Sequence, residues 1–476
     1  MRSRVGFGDA GRLPLAGLLL LAVLLWFTWP ARADAKAAPD YLPGVVIVGY
    51  EHPGIRTAAD VAGPASVTTT ASVQTKLVHL HRGSNLSSAL RRLRRQRGVA
   101  YAVPDYIAHI ADAAPPSWFP NDPGEAGTAQ GWTKMQWNFL SGAGIDAPEA
   151  WANLLAVHHA GARGVVIAVL DTGVAYRNWG HFRESPDFKW THFVNPYDFV
   201  AHNRFPLDRE GHGTFVSGTI AESTNDGLGL TGLAYNASIM PVRVLNQDGW
   251  GDAATIAEGV RYAVAHGAQV INLSLEFDPS VTAGDIPTLI SAIRYAHRKG
   301  VVVVAASGNE GSRRIAYPAA APAVISVGAT TIDRCLAYYS NGGRHLDLVA
   351  PGGGDDADIA SDPNCHPDRN LPDIFQMTFG NPFHPDRFGF PEGWYGTSMA
   401  APHVAATAAM IIASDVIGRH PTPDQILARL EATAQPLGGS KPNVNYGYGL
   451  VDAGAATAPK GTPTGTTGPT GPTGPT

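Results

Sequence analysis

Three short segments bring together an acid, a base and a hydroxyl, each beside glycine: Asp171-Thr172-Gly173, Gly211-His212-Gly213-Thr214 and Gly396-Thr397-Ser398-Met399-Ala400. Acyl transfer by serine needs a hydroxyl nucleophile, a base to take its proton and a carboxylate that holds the base in the right tautomer. In that division Ser398 attacks, His212 moves the proton and Asp171 orients His212. A fourth segment, Val304-Ala305-Ala306-Ser307-Gly308-Asn309-Glu310-Gly311, supplies a carboxamide. Asn309 there, with the backbone N–H of Ser398, could hold a developing oxyanion, and one such donor is typically worth about 10²–10³ in turnover. Each segment alone is weak. Asp-Thr-Gly also serves aspartic proteases, but those need two such loops and this chain has one. In the order Asp, His, Asn, Ser, each beside a strand end or a helix start, they predict hydrolysis through an acyl-enzyme with no cofactor for the chemistry.

The elements that must position these groups alternate. Residues 165–170 form a continuous apolar run, as expected of a strand buried on both faces. A helix is predicted over 253–266, a strand over 269–275, a helix over 286–299 and a strand over 301–305, with Gly267 and Gly300 closing the two helices. Strands at 323–328 and 346–349 follow, then a long apolar helix over 398–417. The last helix starts at Thr422 as N-cap, with Pro423 in its first turn. This repetition predicts a doubly wound α/β domain with a mostly parallel sheet. In such sheets sites form outside the carboxyl ends of the strands, where Asp171 lies.

Ahead of that domain, 45–50, 75–81 and 99–110 read as strands. Residues 85–96 form an amphipathic helix with Leu86, Leu90 and Leu93 on one face, so the front unit is a small α+β domain. The arginines of that helix are expected on a solvated face. Arg2, Arg4 and Arg12 precede an apolar run over 15–29 that ends in small residues, a secretory signal cleaved after Ala33 or Ala35. The run is shorter than the roughly 20 residues a membrane span needs. A secreted, extracellular product without a stable membrane span is expected, and the net charge of −5 argues against nucleic acid as a partner. An exported chain with two cysteines, Cys335 and Cys365, admits one disulfide. From Gly465 the glycines recur every third residue, in a stretch expected to be a flexible tail. The expected organisation is 1–33 signal peptide, 34–112 small α+β domain, 113–457 catalytic domain and 458–476 tail.

These residues make the chain similar to the subtilase family of serine peptidases, over nearly everything from Asn121 to Ala456. Ile145-Asp146-Ala147-Pro148-Glu149-Ala150-Trp151 and Gly447-Tyr448-Gly449-Leu450-Val451-Asp452-Ala453 carry the likeness beyond the four segments above. The resemblance implies that residues 45–110 form an inhibitory, chaperoning propeptide, removed by self-cleavage between about His109 and Pro115. It implies protein or peptide substrates bound along Ser274, Leu275, Glu276, Ala306 and Gly308. It also implies structural calcium, at no assigned residues. Glu276 departs from the family pattern, which has glycine there. It could crowd the primary pocket, favour basic side chains, or project outward as a solvated charge, the expected outcome. A second departure is an insertion between Gly352 and Gly396 with Asp355, Asp356, Asp358 and Asp362. That acidic group could bind Ca²⁺, with a hydrated loop as the plainer reading. Two rival readings are a catalytically dead binding module of the same fold and a membrane-tethered maturation protease.

Overall fold

The structure, a computed structural model, describes residues 41–50, 67–69, 75–81, 83–106 and 117–459. The expected signal peptide, the self-cleavage stretch 109–115 and all but the first two residues of the tail lie outside the described residues. Two compact units divide the chain, Met1–Ala111 and Asp112–Thr476.

In the first unit β1 (Tyr41–Tyr50), β2 (Val67–Thr69), β3 (Thr75–His79) and β4 (Val99–Tyr106) form an antiparallel sheet in the order β2-β3-β1-β4. Its helix α1 spans Leu86–Arg94 and starts at Asn85, whose side chain accepts from the Ser88 N–H at 3.0 Å. Leu90 and Leu93 pack with Val46, Val48 and Val78, while Arg91, Arg92 and Arg95 stay exposed, as a helix with one apolar face requires.

The second unit holds α2 (Ala147–Ala156), β5 (Val166–Asp171), β6 (His192–Phe193), β7 (Tyr197–Asp198) and α3 (His212–Ala221). It continues with β8 (Ser238–Arg243), α4 (Ala253–Ala265), β9 (Val270–Leu273), α5 (Pro287–Arg298), β10 (Val302–Ala306), β11 (Ile325–Thr330) and β12 (Leu348–Pro351). Helices α6 (Thr397–Ser414), α7 (Pro423–Thr433) and α8 (Ala453–Thr457) close it. The sheet order is β12-β11-β10-β9-β5-β8-β6, with β7 also on β8, and every paired strand is parallel. Alternation along each strand feeds two cores. Ile167, Val169, Val302 and Val304 face α2, α3 and α6, whereas Ala168, Leu170, Val303 and Ala305 face α4 and α5. Helices therefore cover both faces, and central strands that are mostly apolar along their whole length are the consequence.

Thr422 caps α7 in a capping box with Gln425, Pro423 occupying its first turn. Helix α6 is the one described helix long and apolar enough to cross a membrane, and 89% of it is buried inside the protein. It is a core helix. Three differences from the sequence reading stand out. Helix α6 ends at Ser414, β9 stops at Leu273, and the short strands β6 and β7 were not expected from the pattern; residues 107–110 of the expected 99–110 strand lie outside the described residues. Two-residue strands leave too little periodicity to be seen.

Candidate active site

Strands β5, β9 and β10 are neighbours, so their carboxyl ends converge. Asp171 ends β5, Ser274 to Glu276 follow β9, and Asn309 follows β10. Helices α3 and α6 present His212 and Ser398 at their amino-terminal turns. Together these segments border a cleft of about 490 Å³ lined by His212, Ser274, Leu275, Glu276, Glu310 and Ser398, among others.

Asp171 is fully buried, and its Oδ1 lies 2.8 Å from His212 Nδ1. The same oxygen accepts from the Thr172 N–H at 2.7 Å. That leaves Nε2 of His212 as the nitrogen free to take a proton, the tautomer a general base requires. Burial pulls the imidazole pKa down, but the carboxylates of Asp171, Glu210 and Asp208 outweigh it and push it up to about 9. Asp208 fastens the strand end to the helix start. One of its oxygens accepts from the Thr172 hydroxyl at 2.9 Å and from the Gly211 N–H at 3.0 Å. The other accepts from the Thr214 N–H at 2.9 Å and the Thr214 hydroxyl at 2.6 Å. Gly213 lets α3 approach that closely: a Cβ there would lie 2.1 Å from the Gly173 carbonyl oxygen.

Ser398 sits in the first turn of α6, where the helix dipole favours developing negative charge. Its hydroxyl donates to the Ser274 carbonyl at 3.3 Å. Pro402 lies four residues further on and has no N–H, so the Ser398 carbonyl lacks its usual intrahelical donor. The Ser274 hydroxyl replaces it, donating at 2.8 Å, and is itself held by the Asn272 amide at 2.9 Å.

Asn309 is oriented from both ends. Its Oδ1 accepts from the Thr397 N–H at 2.8 Å and the Thr397 hydroxyl at 2.9 Å, so its amide nitrogen faces the other way. That nitrogen donates to Glu276 Oε1 at 3.1 Å, and the Asn309 backbone N–H donates to Glu276 Oε2 at 3.1 Å. Glu276 thus turns inward across the cleft, not outward as a solvated charge. Of the expected substrate contacts, Ser274, Leu275 and Glu276 line the cleft. The Ala306 side chain is instead buried in the core, because alternation along β10 points it toward α6. Gly308 is also buried, its N–H donating to the Thr397 hydroxyl at 3.2 Å.

Several residues were not foreseen. Glu210 Oε2 accepts from the His212 N–H at 2.7 Å, two positions away in sequence. The insertion brings Trp394 beside the histidine, its ring 6.1 Å from the imidazole and stacked on Phe215 at 4.9 Å. Thr378 of the insertion donates its hydroxyl to the Gly211 carbonyl at 2.7 Å. Cys335 and Cys365 are disulfide-bonded.

Two acidic groups come into question for a cation. In the insertion, Asp355, Asp356 and Asp362 are taken up by protein donors, from the Leu371 N–H to the Tyr446 hydroxyl, and Asp358 is exposed. Asp333, Asp356 and His366 there present ligand atoms within 4.8 Å of one another. Asp333 is already paired with Arg369 at 2.9 Å and with His366 at 3.1 Å, however. The second group lies elsewhere. Asp122, Asp187 and Glu222 are buried, and Asp187 Oδ1 and Glu222 Oε2 have no hydrogen-bond partner among the described residues. Burial, then mutual repulsion, holds the Asp187 carboxyl well above its usual range. Burial raises Asp122 to about 6. Hard, mutually repelling oxygens with orphaned lone pairs suit Ca²⁺.

Residues 162–449 match the subtilase family. The chain is a subtilase. It is therefore a serine peptidase, acting on peptide bonds. Residues 28–105 match the fervidolysin N-terminal prodomain, so this subtilase carries a propeptide-type domain ahead of its catalytic fold. It is 34% identical over 367 residues to a thermophilic serine proteinase of Bacillus sp. (strain AK1), which covers 76% of this chain and 74% of the relative. Subtilisin E of Bacillus subtilis is 33% identical over 378 residues, covering 77% and 78%. Among solved structures, proteases from Pseudoalteromonas arctica align with a TM-score of 0.57 at 30% identity, over 71% of this subtilase and 99% of that chain.

Proposed function

We propose that this subtilase is exported, cuts itself free of its N-terminal domain and then hydrolyses protein or peptide substrates as an endopeptidase outside the cell. What carries the catalytic part is the 2.8 Å contact between His212 Nδ1 and the buried Asp171 carboxylate, in the same cleft as Ser398. With Nδ1 engaged, Nε2 accepts the Ser398 proton as the hydroxyl oxygen attacks the substrate carbonyl carbon. The oxyanion then forms beside the Asn309 amide nitrogen and the Ser398 N–H. His212 returns the proton to the leaving amine, an acyl-enzyme remains, and water repeats the sequence to release the acid. The basic amphipathic N-terminal unit is the intramolecular inhibitor until cleavage.

The same reading gives the protein structural calcium, which Asp122, Asp187 and Glu222 would hold and which would supply hard-cation charge and cross-linking there. The orphaned oxygens of Asp187 and Glu222 support this choice over the insertion. The chemistry itself runs on the side chains named above.

Labelling with a fluorophosphonate tests the catalytic assignment. Peptide mapping should place the adduct on Ser398, and Ser398→Ala and His212→Ala should both abolish it. An adduct on another serine, or undiminished labelling of Ser398→Ala, would refute the assignment.

A further inference from the structure

We propose that the cleft selects a cationic side chain, lysine or arginine, at the substrate residue whose carbonyl is attacked, with Glu276 as the specificity-determining carboxylate. This rests on the reading of the site as a peptidase's. The side chain of that residue branches from the carbon bonded to the reacting carbonyl, so it enters between the segments that border the attacking and oxyanion-binding groups. Those are Ser274 to Glu276 on one side and Gly308 to Glu310 on the other.

Glu276 crosses this slot. Both of its carboxylate oxygens are engaged by Asn309 on the far wall. It lies against bare backbone: a Cβ on Gly308 would come within 2.5 Å of Glu276 Oε2. Glu310 stands on the same wall, accepts from the Asn341 amide at 2.5 Å and lines the cleft. Burial, then the proximity of Glu310, pushes the Glu276 carboxyl up to about 7, as two partly desolvated carboxyls without a counter-ion must behave. Neither makes an ion pair among the described residues.

The rest of the lining adds to the imbalance. Glu210, Asp248 and Asp278 also border the cleft, and no Lys or Arg does so among the described residues. An apolar side chain entering here would desolvate like charges and leave them unpaired. A guanidinium or ammonium would pair them, and its long apolar stem would lie along Leu275 while the charge meets Glu276. Self-cleavage stands apart, since the stretch 109–115 has no Lys or Arg. There the chain presents its own bond at high effective concentration, so the charge preference belongs to cleavage between molecules.

The test uses mature enzyme, its active sites counted by fluorophosphonate titration, on peptide nitroanilides that differ only in Arg, Lys, Phe, Leu or Ala before the scissile bond. Arg and Lys should exceed Phe and Leu at least tenfold in kcat/KM. Glu276→Gln keeps the shape and one of the two acceptors toward Asn309 while removing the charge, and should cut the Arg-to-Phe ratio at least tenfold. Glu310→Gln should lower the ratio in the same direction. A wild-type preference for Phe or Leu would overturn the proposal, as would a ratio unmoved by Glu276→Gln. A preference for Ala would also overturn it, making Glu276 a steric plug. Failure of titration to find a reactive serine contradicts the peptidase reading itself, and the proposal falls with it.

Discussion

The hydroxyl of Ser274 donates to the backbone carbonyl of Ser398 at 2.8 Å, filling the place that Pro402 leaves empty in the hydrogen-bond ladder of α6. The strand-end segment that borders the cleft therefore also fixes the turn that carries the nucleophile. Ser274→Ala orphans both the half-buried Ser398 carbonyl and the buried Asn272 amide, and should cost about 1–3 kcal/mol of stability. Urea unfolding of phosphonate-inhibited protein measures this. A drop in kcat with little change in KM should accompany it, because the nucleophile and not the substrate walls is disturbed. Unchanged stability and turnover would contradict the role given to this hydroxyl.

His212 serves as a base only when neutral, and its carboxylate neighbours push its pKa up to about 9. At pH 7 about one imidazole in a hundred is then neutral, so kcat/KM should climb through the alkaline range and level off above about pH 9. Replacing Glu210 by Gln removes one of the raising charges while keeping an acceptor for the His212 N–H. The acidic limb of the profile should move to lower pH, and activity at pH 7 should rise relative to the plateau. Stability runs in the opposite sense. A raised histidine pKa stabilises the fold fully below about pH 6.5, and that contribution is lost as pH rises through about 9. A limb that does not move in Glu210→Gln would contradict this electrostatic picture.

Removal of calcium tests the buried carboxylates. Chelation by EDTA should lower the melting temperature by roughly 5 °C, and added Ca²⁺ should restore it by mass action. In Asp187→Asn the calcium response should shrink sharply, whereas Asp358→Asn, on an exposed insertion residue, should leave it intact. An unaltered response in Asp187→Asn would move the site elsewhere.

The four chemical segments were legible because each sits where one sequence signal ends and another begins. The apolar run of β5 stops at Asp171, and glycine precedes both His212 and Thr397. The alternation of the parallel domain was readable for the same reason, its central strands being mostly apolar runs bounded by glycine or polar residues. Three features were not readable. Asp122, Asp187 and Glu222 come from segments far apart in sequence, and no local pattern links carboxylates whose charges interact only after folding. Trp394 reaches His212 through an irregular insertion, held by single contacts such as Thr378 to Gly211. Glu276 follows a buried strand, where exposure was the natural expectation; the bare backbone at Gly308 and the two donors on Asn309 draw it inward instead. Ala306 failed as a cleft residue through alternation alone, since one residue along β10 decides which face a side chain meets.

The central claim is that Ser398, His212 and Asp171 act together, first on the chain itself. Intact mass of the secreted protein, measured beside Ser398→Ala from the same host, tests it most directly. Wild type should lose the segment ending between about His109 and Pro115, and the variant should keep it, both having shed the signal peptide. If both proteins retain the N-terminal unit, or both lose it at the same bond, self-cleavage by Ser398 is contradicted.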